Sequence, residues 1–179
     1  MKKNRAVFFD RDGTLIEAEI RNGKLFSIDD PAKLVLLKGV REGLESLHRR
    51  DFLIFVVTNQ PDVARGKIST AQVEAVHQRL KEVTGPGTFR QIYYCPHDDK
   101  DQCECRKPKP GMLLRAAEEW GIDLASSYIV GDQERDVKAG LAAGVSSAVL
   151  DAVYNQGIQA DYRGKDIPDI CRWITEQGE

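Results

Sequence analysis

The sequence predicts an α/β domain built on a doubly wound, mostly parallel sheet with helices on both faces. Three observations carry that expectation. Short runs rich in β-branched and aromatic residues alternate with amphipathic segments, the pattern of repeated βα units. One run, Phe52-Leu53-Ile54-Phe55-Val56-Val57, is apolar at every position, as suits a central strand covered on both faces. The 179 residues suffice for a full core, and no linker-like stretch divides them. One domain over residues 1–179 is therefore expected, with five or six strands and too little chain between motifs for a large cap domain.

Taken in order, Ala6-Val7-Phe8-Phe9 reads as the first strand, closed by Asp10. Residues 40–49 place Val40, Leu44 and Leu47 at helical spacing, and the run from Phe52 follows as the second strand. Residues 70–83 repeat the helical pattern through Val73, Val76, Leu80 and Val83, with Ser69 and Gln72 in capping-box positions. Further strands are expected at Ile92-Tyr93-Tyr94, Tyr128-Ile129-Val130 and Ser147-Ala148-Val149-Leu150. Pro110 can open a third helix that Gly121 can stop, because glycine tolerates the left-handed conformation of a helix end. Residues 134–143 read as a fourth helix, 152–165 as loop, and 168–176 as a last helix carrying a buried Cys171. His48 and His77 fall among charged neighbours and are expected to face solvent, whereas Trp120 and Trp173 are expected in the core.

Twenty-six Lys and Arg against 28 Asp and Glu leave a net charge of −2, which speaks against a polybasic nucleic-acid or membrane binder. The apolar runs are far shorter than the roughly 20 residues a bilayer span needs. The N-terminus offers no long apolar h-region or cleavage site, so cytoplasmic residence is expected. A monomer acting on a small molecule fits these numbers.

Chemistry concentrates at predicted strand ends, where ligands sit in open α/β sheets. Asp10 and Asp12 stand at i and i+2, so in extended chain they share one side and Arg11 points away; Gly13 then permits a sharp turn. Two carboxylates this close call for a cation, and a hard ion such as Mg²⁺ suits oxygen donors. Thr58-Asn59-Gln60 brings a hydroxyl and two amides to the second strand end. Arg106-Lys107-Pro108-Lys109-Pro110 holds cations at a helix entrance that favours anions, and Asp132 and Asp136 follow the strand ending at Val130.

These segments in this order resemble the haloacid dehalogenase superfamily of phosphotransferases, closest to its small histidinol-phosphatase and heptose-bisphosphatase branch. Ala64-Arg65-Gly66-Lys67, Tyr94-Cys95-Pro96-His97 and Pro110-Gly111-Met112-Leu113-Leu114 carry the closer likeness. The resemblance implies a catalytic set of Asp10 as nucleophile, Asp12 as general acid and base, and Thr58 and Lys107 as phosphate-stabilising groups. It further implies Mg²⁺ held by Asp10, the Asp12 carbonyl and Asp132, with Asp136 behind them and with Arg106 and Asn59 contacting substrate. The implied activity is hydrolysis of a small phosphate ester, a sugar phosphate first. Histidinol phosphate, a polynucleotide 3′-phosphate, or a non-catalytic zinc-stabilised interaction module are the alternatives.

Cys95, His97, Cys103 and Cys105 supply three sulfurs and an imidazole, enough for a closed Cys₃His zinc site with no open position. That argues for a structural ion, since the loop between them is too polar and acidic to fold on a core of its own. Such an ion would fix Arg106 and Lys107, which follow the last ligand directly.

Overall fold

The computed structural model describes residues 3–21 and 24–177. The chain starts with β1 (Arg5–Phe9), passes through a hairpin of β2 (Glu19–Arg21) and β3 (Lys24–Phe26), and enters α1 (Val40–His48). Next come β4 (Phe52–Asn59), α2 (Thr70–Thr84), β5 (Gln91–Cys95) and α3 (Gly111–Trp120). The chain continues through β6 (Tyr128–Gly131), α4 (Glu134–Ala143), β7 (Ser146–Leu150), β8 (Tyr162–Gly164) and α5 (Ile167–Glu176). Six strands form one parallel sheet in the order β5-β4-β1-β6-β7-β8, which meets the expected doubly wound class.

Strand alternation sorts the core into two layers. Val7 and Phe9 face Val40, Leu44 and Leu47 of α1 and Ile170 and Ile174 of α5. Ala6 and Phe8 face Met112, Leu113 and Ala116 of α3 and Ala139 of α4. The Phe8 and Phe55 rings stack at 5.4 Å, both fully buried, and truncating either to alanine is worth about 3–5 kcal/mol at such a site. Because β1 lies between β4 and β6, the winding reverses beside it, and the C-terminal ends of these three strands are neighbours.

The helix ends follow their local signals. The Ser69 side chain accepts from the Gln72 amide while Gln72 Oε1 accepts from Ser69 N at 2.9 Å, and Gly121 ends α3 at φ 59°. Trp120 and Trp173 pack against the core from partly buried positions, Cys171 is buried, and His48 is exposed.

Two expectations need correction, and one hairpin was not anticipated. His77 is only 2 % exposed: it continues the buried stripe of Val73, Val76 and Leu80, which outweighs its charged neighbours, and its ring meets Tyr94 edge-on at 5.4 Å. Residues 152–165 are not all loop, since they contain a 3₁₀ turn, Val153–Asn155, and the edge strand β8. That strand is too short and polar to announce itself, and it depends on Gly164, where a Cβ would collide with Ile170 of α5. The β2–β3 hairpin likewise has no clear apolar alternation.

Candidate active site

Asp10 continues the ladder one step past β1, its amide donating to Val130 O at 2.8 Å, so its side chain leaves at the reversal point between β4 and β6. The chain then turns: Arg11 O accepts from the amides of Leu15 at 3.0 Å and Ile16 at 3.1 Å, and Gly13 adopts φ 85°. A Cβ at residue 13 would stand 2.5 Å from Asp132 Oδ2, so glycine lets this backbone lie directly against that carboxylate.

Lys107 is the centre of the site. Its buried Nζ lies 2.9 Å from Asp10 Oδ1, 2.6 Å from Asp136 Oδ1 and 2.7 Å from Val57 O. Burial alone would lower its pKa, but Asp10 and Asp136 outweigh burial and raise it, so the ammonium stays charged. Asn59 grips its main chain twice, Oδ1 accepting from Lys107 N at 3.0 Å and Nδ2 donating to Lys107 O at 2.9 Å. Asn59, expected at the substrate, lines the adjoining cleft and also uses its amide to position Lys107.

Asp10, Asp132 and Asp136 bring carboxylate oxygens within 4.8 Å of one another, all three buried. One ammonium against three carboxylates leaves an excess of negative charge. Burial, and then the charge of Asp10, push Asp132 up to about 6, and burial raises Asp136 despite Lys107. Asp136 is occupied, with Lys107 at one oxygen and the Gln133 amide donating to the other at 3.0 Å. Asp10 and Asp132 therefore remain to meet a further cation, and a hard divalent ion fits this all-oxygen set.

Asp132 is held by groups that its sequence neighbourhood does not reveal. Tyr154 Oη donates to Asp132 Oδ2 at 2.7 Å and Gln133 Nε2 at 2.9 Å. Asn155 Nδ2 donates to Asp132 O at 2.9 Å, and Arg163 on β8 fixes Asn155 in turn, Nη1 to Oδ1 at 2.9 Å and Nη2 to O at 2.9 Å. The only hint in the chain is a polar turn after a strand.

Asp12 lies outside the acid cluster. Arg11 Nε donates to its Oδ2 at 3.0 Å, Gln60 Nε2 to Oδ2 at 3.0 Å, and the Ile28 amide to Oδ1 at 3.1 Å. Arg11 is fully buried beside Asp12 and does not point away from it. Strand alternation ends at Phe9, so the i, i+2 rule no longer applies within the turn. Thr58 is buried at the end of β4, its Oγ1 accepting from Gln60 Nε2 at 3.0 Å, so one amide ties the Thr58 hydroxyl to the Asp12 carboxylate.

Beyond β5 the four expected metal ligands converge. Cys95 Sγ stands 3.1 Å from Cys105 Sγ and 3.5 Å from both Cys103 Sγ and His97 Nδ1, while His97 Nδ1 is 3.2 Å from Cys105 Sγ. No disulfide forms, and such spacings suit four donors at about 2.0–2.3 Å around one zinc-sized ion. The loop also aims its acids at nearby guanidinium groups: Asp98 lies 2.7 Å from Arg65 Nη2, and Asp99 lies 2.7 Å from Arg106 Nε. The hydrogen bond from Arg65, followed by the Asp99 amide, holds the Asp98 carboxyl down at about 2.

Similarity to known proteins agrees with this architecture. Residues 104–169 match the HAD-hydrolase-like family model. The chain is 38 % identical to the D-glycero-β-D-manno-heptose-1,7-bisphosphate 7-phosphatase of Escherichia coli (strain K12), covering 81 % of this chain and 78 % of that one. It is 40 % identical to the protein of the same name from Haemophilus ducreyi, covering 82 % of each. The D,D-heptose 1,7-bisphosphate phosphatase of B. bronchiseptica, solved with magnesium and phosphate, superposes with a TM-score of 0.83 at 25 % identity, covering 97 % of this chain and 99 % of that one. A HAD-like phosphatase from Mesorhizobium loti superposes at 0.80 with 26 % identity, covering 99 % of this chain and 88 % of that one. Among the described residues no helix is long and apolar enough to cross a membrane. A parallel sheet that collects acids and one lysine at its reversal point thus has named counterparts over four-fifths of its length, and the chain belongs to the haloacid dehalogenase-like phosphatases, in their heptose-bisphosphatase branch.

Proposed function

We propose that the chain hydrolyses D-glycero-β-D-manno-heptose 1,7-bisphosphate at its 7-phosphate through a phosphoaspartyl intermediate on Asp10. The relatives' shared name, at 37–40 % identity over about four-fifths of the chain, carries the choice of substrate. The buried Asp10–Lys107 pair carries the chemistry. Asp10 attacks phosphorus, forming one P–O bond while the bond to the sugar oxygen breaks, and Asp12 gives its proton to that departing oxygen. Asp12, now a carboxylate, takes a proton from water as the water oxygen attacks phosphorus, which returns Asp10 and releases inorganic phosphate. Lys107 and Thr58 meet the equatorial oxygens, where phosphoryl transfer most needs positioned charge and hydrogen bonds.

Asp10, Asp132 and the Asp12 carbonyl would hold Mg²⁺, which when bound neutralises charge on the phosphoryl group. Cys95, His97, Cys103 and Cys105 would hold zinc as a structural ion. Histidinol phosphate is disfavoured because its imidazole and ammonium would meet Arg65, Arg106 and Arg135 in the adjoining cleft, whose one carboxylate, Asp62, is already 3.3 Å from Arg65.

Phosphate release from the heptose bisphosphate, histidinol phosphate and a 3′-phosphorylated oligonucleotide tests the reading. The first is expected to exceed the others by at least about tenfold in kcat/KM. Equal turnover of all three, or none of the first, overturns the substrate. Turnover that persists in Asp10→Asn overturns the nucleophile.

A further inference from the structure

The cleft beside Asp12 has a volume of about 250 Å³ and is walled by Ser27 from the segment after the hairpin, by Gln60, and by Arg65, Arg106 and Arg135. The three guanidinium groups are not equivalent. Arg65 is committed, with Asp98 at 2.7 Å and Asp62 at 3.3 Å. Arg106 donates to Asp99, but that carboxylate is 79 % exposed, so water weakens the pair. Arg135 has no hydrogen bond or ion pair among the described residues. Of the acids in its own helical turn, Glu134 lies 3.1 Å from Lys138, and Asp136, which feels the charge of Arg135, gives its oxygens to Lys107 and the Gln133 amide.

Arg135 also sits in the first turn of α4, where the helix dipole disfavours a cation. A guanidinium group with no carboxylate in hydrogen-bond range, in an unfavourable position and facing a cleft lined by two further guanidinium groups, is the arrangement an anionic ligand would satisfy. A second observation marks the same cleft as a ligand site, for the uncharged part of such a ligand. Gln60, in the wall of the same cleft and 1 % exposed, leaves its Oε1 buried without a partner, a place for a ligand hydroxyl.

We propose that Arg135 is a specificity-determining residue that receives, together with Arg106, the phosphate group of the substrate that is not transferred. The inference rests on the phosphatase reading above and adds how the enzyme tells a bisphosphate from a monophosphate. The transferred group lies against Lys107 and Thr58. A second phosphate, carrying a charge of about −1.5 to −2, then faces the cleft and offers oxygens to two forked donors. Arg106 approaches from the Cys/His loop and Arg135 from a helix rooted in the sheet, so the pair spans the cleft.

The test compares heptose 1,7-bisphosphate with heptose 7-phosphate, which differ only in the second phosphate, on the metal-loaded wild-type enzyme, Arg135→Gln and Arg135→Lys. For the bisphosphate, Arg135→Gln is expected to raise KM about tenfold with kcat changed less than about twofold, the loss of one charge-assisted contact. For the 7-phosphate, KM should rise less than about twofold, which also reports that the variant is folded. Arg135→Lys should fall between, keeping charge without the fork. Equal effects on the two substrates, or an unchanged bisphosphate KM, overturn the role of Arg135 while a wild-type preference for the bisphosphate leaves the substrate assignment standing. A wild-type enzyme that turns over neither heptose phosphate defeats both.

Discussion

Two clusters of polar side chains lie a few residues apart in sequence at Lys107 and Cys105, yet they are built in opposite ways. The acid cluster gathers Asp10, Lys107, Asp132 and Asp136 from three distant stretches, the acids delivered by two strand ends and the first turn of α4 and the lysine by the turn after Cys105, and all four are buried. The Cys/His cluster takes Cys95, His97, Cys103 and Cys105 from one short stretch that has only a 3₁₀ turn, and only Cys95 is buried. The first is fixed by the fold itself. The second has little to hold it except what its own donors bind. The lesson is that the one cation of the acid cluster reaches it from the locally built region, so a metal there would act on chemistry it never touches.

The largest expected effect breaks the first cluster chemically. Asp10→Asn should lower phosphate release by at least ~10³-fold, because an amide cannot form the acyl phosphate. Fluoroberyllate binding to the wild-type protein and not to the variant would check it. Lys107→Met comes next. It strands three buried carboxylates without their ammonium, and the metal-free protein should lose about 3–5 kcal/mol of stability in denaturant melts, with added Mg²⁺ recovering part of it. If the metal-free variant is as stable as the wild type, the fold does not depend on this ion pair.

A test of the proposed zinc sharpens the contrast. Chelation, or the pair Cys103→Ser and Cys105→Ser, should speed hydrogen exchange throughout residues 96–107 while leaving β1 protected, and lower kcat/KM about tenfold through Lys107 and Arg106. Full activity in a zinc-free preparation would separate the two regions.

The smallest effect concerns His77, which lines a cavity behind the loop with His97 and Cys105. Burial, then the charges of Arg11 and Lys81, push it down to about 3 from its ordinary 6.5. The unfolded chain therefore takes up a proton that the folded one refuses, and stability present above pH 6.5 is lost as pH falls toward 3. Between pH 7 and pH 5 this is worth about 2 kcal/mol, and His77→Phe should flatten that part of the wild-type stability profile. Parallel profiles for the two proteins would refute the assignment.

Much of this was legible in the chain. The apolar run at Phe52, the capping pair Ser69 and Gln72, and Gly121 act within a few residues, so their signals survive without tertiary context. Asp10, Thr58 and Asp132 were visible because each stands at a strand end, whereas Lys107, in the turn four residues ahead of α3, was visible through the family's motif order. The partners of Asp132 were not. Tyr154, Asn155 and Arg163 matter only because β7 and β8 pair and fold the intervening turn back over the site, and no local pattern encodes that return. Arg11 misled for a related reason, since alternation was extended one residue beyond the strand that justifies it.

The hold of Arg163 on Asn155, and of Asn155 on the Asp132 carbonyl, bears on how far this enzyme can be shortened. A fragment cut after Leu150 would keep every group proposed to react and every sulfur of the loop, and it would still release the backbone beneath Asp132. Scission by a protease between residues 156 and 161 would put the same grip at risk. The smallest active piece of this chain is thus set by its outermost strand and not by its last reacting side chain.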